Sequence, residues 1–113
     1  MTGASVKVSV TELGFSSLNI LCRYMCEFIG EEAATGLAEN LLDVAEQNLQ
    51  RLSLKCPVCH ELEILGETDY RQLTIDKYKI LYRFNDVENT VYIMAFMRQK
   101  QSAQELLLNC VLL

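Results

Sequence analysis

The chain reads as an α+β fold: an N-terminal strand, an antiparallel helix hairpin packed on a mostly antiparallel sheet, and a short C-terminal helix or tail. Three observations predict it. Apolar residues alternate with polar ones near the N-terminus, recur at steps of three and four through residue 52, and return to strand-like runs from residue 70 onward. Gly, Pro and polar turn residues mark the changes of period.

The first strand rests on Val6, Val8 and Val10 alternating with Lys7, Ser9 and Thr11. From about Leu13 the period becomes helical. Leu18, Leu21, Met25 and Phe28, joined by Cys22 and Ile29, form one apolar face, and Gly30 ends that helix. Glu31 and Glu32 then stand where the positive end of a second helix favours carboxylates. Ala34, Leu37, Ala38, Leu41, Ala45, Leu49 and Leu52 carry its stripe onward. Two helices joined this tightly fold back on each other as a hairpin.

The segment SLKCPVCHE holds the only proline and predicts a loop. Three strands follow, at 70–75, 78–84 and 90–97. Asp76-Lys77 forms the tight turn between the first two and NDVEN the longer turn before the third. In the last strand Val91, Ile93, Ala95 and Met97 alternate with Tyr92, Met94 and Phe96, so both faces of the sheet need cover. Tyr82 and Tyr92 are assigned to the core. Beyond the sheet, SAQELLLNCVLL begins with an N-cap serine, Ser102, and ends in apolar residues.

At 113 residues the chain fits one domain, 1–113, able to bury roughly two thirds of its unfolded surface. No apolar run approaches the roughly 20 residues that cross a bilayer, and the N-terminus lacks a basic stretch followed by an apolar one. A cytoplasmic protein without membrane association is expected. Five cysteines in such a chain are expected to be reduced thiols. A net charge of −5 argues against a protein that works mainly by neutralising many phosphates.

Cys56-Pro57-Val58-Cys59-His60 has the spacing of a haem-attachment motif, of half a zinc site or of a redox pair. Haem attachment would need export and an axial ligand, neither of which is signalled. Zinc would need a fourth ligand, for which only Cys22 and Cys26 offer themselves, and their place in the apolar stripe favours a role as small buried hydrophobes. A redox pair would need a strand-to-helix context that is missing here. No metal and no cofactor are expected.

The order of elements, together with the segment DYRQLTIDKYKILYRFNDVENTVYIMAFMRQKQS, resembles the RelE/ParE family of toxins from bacterial toxin–antitoxin pairs. The resemblance covers nearly the whole chain. It rests on Glu61-Leu62 closing the loop, on YR-x-L and Y-x-I-L-Y-R in the sheet, and on the basic, Gln-containing RQKQ after the last apolar strand. It implies a cytoplasmic toxin held in a hetero-oligomer by a cognate, ParD-like antitoxin. Two readings of the apolar tail stay open: it offers surface for that antitoxin to cover, or it packs on the chain's own sheet.

Two mechanisms follow from the resemblance. RelE-like members cut messenger RNA on the ribosome with a cluster of cations and a nearby proton-transfer group. In that reading Arg71, Lys79, Arg83 and Arg98 would be the catalytic cations. No Tyr or His follows Tyr92, however, and Gln99 and Glu105 stand where those enzymes tend to place a basic residue and a tyrosine. ParE-like members, the plasmid-stabilisation type, bind DNA gyrase and perform no chemistry. That reading fits the missing groups and places the target-binding surface on Arg71, Lys79, Arg83, Arg98, Lys100 and Gln101. Lys79 and Arg83 share strand parity and should point to one face, away from Tyr78, Ile80, Tyr82 and Phe84. A third possibility is an inert relative that keeps only antitoxin binding.

Overall fold

A computed structural model describes residues 6–52, 58–59 and 70–100. The C-terminal tail, Glu61-Leu62, Cys56, His60 and Gln101 lie outside the described residues. The elements are β1 (Lys7–Val10), α1 (Glu12–Ile29), α2 (Glu31–Leu52), β2 (Arg71–Ile75), β3 (Tyr78–Asn85) and β4 (Thr90–Arg98). The sheet order is β1-β4-β3-β2, with β1 parallel to β4 and the other neighbours antiparallel.

The chain leaves β1 and enters α1 through one residue. Thr11 caps the helix by accepting from the Gly14 N–H at 3.0 Å, and its hydroxyl donates to the Ile93 carbonyl at 2.9 Å. The first turn of α1 therefore lies directly on β4. A Cβ at Gly14 would stand 2.6 Å from the Ile93 carbonyl oxygen, so the approach needs glycine. Ser17, one turn further, donates to the Gly14 carbonyl and accepts from the Phe96 N–H, both at 2.8 Å. β1 pairs with β4 only as far as Ile93, and the buried Ser17 hydroxyl takes the Phe96 donor that lies past the end of that ladder.

Gly30 ends α1 as its position in the sequence predicts, at φ 88° and ψ 160°, a region that side chains rarely tolerate. Its N–H closes the helix on the Cys26 carbonyl and its own carbonyl accepts from Ala34, which starts α2, each at 3.0 Å. Glu31 and Glu32 occupy the first turn of α2.

Both helices pack on one face of the sheet. Leu18 and Leu21 of α1 and Leu41, Ala45 and Leu49 of α2 meet Leu73, Tyr78, Ile80, Tyr82, Val91, Ile93 and Phe96. A second, smaller cluster of Leu81, Ala95, Met97 and Cys59 covers the opposite face, with Tyr70 and Met94 against it. Cys59 is thus a core residue: its thiol is buried and its N–H donates to the Tyr70 carbonyl at 2.8 Å. Among the described residues no helix is long and apolar enough to cross a membrane.

The apolar stripe of α1 is wider than the sheet can cover, which corrects the expected burial of four of its residues. Leu18 and Leu21 lie at its centre, but Cys22 and Cys26 lie to one side and remain only half-buried. Ile29 and Phe28 are exposed, Phe28 by 66 %. Tyr92 is likewise half-exposed rather than core: it lies opposite Arg83 on the face away from the helices, where its hydroxyl donates to the Glu88 carboxylate.

Uniform alternation along β4 also fails. Leu81 faces Ala95 whereas Tyr82 faces Ile93, so Met94 is an extra residue and β4 carries a bulge. Val91 and Ile93 point to the helices before it, and Phe96 points there after it, while Ala95 and Met97 turn to the opposite cluster. The bulge thereby turns Arg98, two residues past Phe96, onto the helix side of the sheet.

Candidate functional site

The end of β4, the β2–β3 turn and the C-terminal half of α1 border an open groove of about 590 Å³. Tyr24, Met25 and Phe28 come from the helix, Asp76, Lys77 and Tyr78 from the turn and the start of β3, and Arg98, Gln99 and Lys100 from the end of β4. Each element supplies a different chemistry. The helix brings aromatic and thioether surface, because its apolar stripe runs past the sheet. The turn and strand end bring charge, because they leave the sheet there.

Arg98 is the fixed point of this groove. Its guanidinium carbon lies 4.0 Å from the centroid of the Tyr24 ring, and Nη1 donates to the Tyr24 hydroxyl at 3.0 Å. A cation over an aromatic face gains roughly 0.5–1 kcal/mol at an exposed site. Tyr24 in turn meets Phe28, ring centroids 5.0 Å apart at 50°, which continues the aromatic wall by one helical turn. The Gln99 N–H donates to the Lys77 carbonyl at 2.8 Å and the Gln99 side-chain amide to the Asp76 carbonyl, so the strand end and the turn are bound together. Asp76 holds φ 54°, the left-handed geometry of a tight turn, which an Asp tolerates better than most residues.

Tyr78 is buried beneath the groove, with its hydroxyl 3.9 Å from the Met25 sulfur as donor. Burial, and secondarily the Asp76 carboxylate, push its phenol above the usual range. It keeps its proton at neutral pH. The Cys26 thiol is also pushed up, by burial first and then by Cys22, Glu31 and Glu27. Metal binding by thiols needs the thiolate, and among the described residues no three His, Cys, Asp or Glu groups converge.

The residues singled out in the sequence do not form one cluster. Arg98 and Lys100 line the groove. Arg71 pairs with Tyr82 and shares its parity with Leu73 and Ile75, so it lies on the helix side. It stands across β3 from Arg98 and four residues along it, roughly 13 Å at a strand's rise per residue. Lys79 and Arg83 lie on the opposite face, Lys79 almost fully buried between Thr74 and Met97 and Arg83 exposed beside Tyr92. Gln101 lies outside the described residues.

Sequence reasoning missed Tyr24, Phe28 and Lys77. Helical spacing places Phe28 in the buried stripe, and the sequence marks Lys77 only as a turn residue.

A strand leading into a helix hairpin, followed by an antiparallel three-strand meander whose last strand lies parallel to the first, is the fold of the RelE/ParE toxins. The structure of the chromosomal ParDE TA system from P. aeruginosa matches with a TM-score of 0.66 at 14 % identity, over 83 % of this chain and 96 % of that one. The toxin–antitoxin complex RelBE2 from Mycobacterium tuberculosis matches at 0.63 and 19 % identity, over 88 % and 98 %. The isolated E. coli RelE toxin matches at 0.51 and 13 % identity, over 97 % and 100 %. At these identities the likeness is one of fold. No protein-family profile and no curated sequence matches the chain.

Proposed function

We propose that this chain is the toxin of a type II toxin–antitoxin pair, that a cognate antitoxin neutralises it in a hetero-oligomer, and that it stops growth by binding DNA gyrase without chemistry of its own. The family part of this reading is supported by fold likeness to ParDE, RelBE2 and RelE structures over nearly their whole lengths. The mechanistic part is supported above all by the division of the cations. A ribonuclease must bring them to one phosphate, whereas Arg71 and Arg98 lie on one face of the sheet and Lys79 and Arg83 on the other.

The phenols near Arg98 do not replace the missing proton shuttle. Tyr24 is engaged with the guanidinium, and Tyr78 is buried and held in its protonated form, far from the pH at which a general base works well. What remains is a shaped surface around Arg98 and Lys100, and a binding protein needs no more than that.

Purified gyrase and relaxed plasmid, titrated with this protein, provide the test. Loss of supercoiling or accumulation of cleaved DNA, reversed by the antitoxin, is the expected result. Growth arrest with unaffected gyrase would overturn the target assignment and direct attention to cleavage of ribosome-bound messages, with Arg71, Lys79, Arg83 and Arg98 as the cations to mutate. No growth arrest at all would mark an inert relative that keeps only antitoxin binding.

A further inference from the structure

The groove at the end of β4 combines cations with exposed aromatic surface. The chain carries a net charge of −5, yet among the described residues Lys77, Arg98 and Lys100, three of its ten cations, line this groove together with one carboxylate, Asp76. Beside them run Tyr24 and Phe28, which are 38 % and 66 % exposed. An exposed aromatic wall costs solvation unless something covers it, and cations on an otherwise acidic surface select the sign of what approaches.

We propose that this groove receives an acidic peptide segment carrying one aromatic or branched aliphatic anchor. The anchor lies on Tyr24, Met25 and Phe28, and flanking carboxylates meet Lys77, Arg98 and Lys100. This names the partner chemistry of the surface described above and rests on the reading that the chain acts by binding protein.

Charge and shape both favour a peptide over nucleic acid. Three cations in one groove give few phosphate contacts, and the surrounding negative chain opposes a polyanion at longer range. An apolar anchor with carboxylates beside it matches the groove term by term. The rings supply buried area, the guanidinium held over Tyr24 fixes the aromatic wall in place, and the exposed Lys77 and Lys100 supply steering charge from two sides.

The test is selection of random dodecapeptides on the intact chain, with the enriched peptides then measured by fluorescence anisotropy. The expected outcome is enrichment of sequences with an aromatic or aliphatic anchor flanked by Asp or Glu. Their affinity should fall about tenfold or more in K77E/K100E and in Phe28→Ser, and fall with rising salt. All three sites are exposed, so circular dichroism and urea midpoints should stay near those of the parent. The proposal is overturned if nothing is enriched, if the enriched peptides lack acidic residues, if the variants bind them equally well, or if a single-stranded oligonucleotide of equal charge competes as well as the peptides. The readout does not involve gyrase: inactivity in the supercoiling assay with retained peptide binding would remove the target assignment and leave the groove's specificity standing.

Discussion

Single side chains at the α1–β4 junction have the clearest energetic roles. Ser17 is buried and serves the Phe96 N–H, which no strand partner reaches. Ser17→Ala strands that donor, and the cost should be about 1–3 kcal/mol, read as a lowered urea midpoint with unchanged m-value. Gly14→Ala should cost a similar ~1–3 kcal/mol through the clash with the Ile93 carbonyl, because the obstacle is backbone and has nowhere to move. Tyr78 gives the fold an alkaline limit. Its phenol is pushed up by burial and then by Asp76, so its contribution is fully present below pH ~10, where a free phenol stays protonated. It is lost as pH rises through the higher folded value. Urea midpoints measured across the alkaline range should fall in the parent and fall less in Tyr78→Phe.

At the scale of elements, two irregularities decide where things point. Gly30 joins the helices in a backbone region nearly reserved for glycine, and nothing stands within 4 Å of where a Cβ would be. Gly30→Ala therefore isolates backbone strain, expected at about 1–3 kcal/mol by urea unfolding, with the groove residues undisturbed. The β4 bulge at Met94 has the greater functional consequence. Val91 and Ile93 announce one parity in the sequence, and simple alternation would put Arg98 on the face of Tyr92, together with Lys79 and Arg83. One extra residue sends Arg98 to Tyr24 instead. Periodicity could not reveal this, because Ala95, Phe96 and Met97 are all apolar and either face would accept them.

For the whole molecule, the order of elements, the helix hairpin broken at Gly30 and the strand meander were legible in the sequence. They follow from local rules: hydrophobic period, glycine at a helix end, carboxylates in a first helical turn and tight polar turns. These act within a few residues, so the chain carries them regardless of its final shape. Arg98 and Lys100 were also legible as candidates, since cations closing an apolar strand stand out. That Lys79 and Arg83 share one face was legible too, from strand parity within β3; how Arg71 and Arg98 lie relative to them was not. The partition of Arg71, Lys79, Arg83 and Arg98 between two faces, the exposure of Phe28 and the meeting of Tyr24 with Arg98, 74 residues apart, depend on strand register and on how much of α1 the sheet covers. Those are properties of long-range packing, in which a one-residue shift reverses every side chain beyond it, and only the tertiary structure decides them.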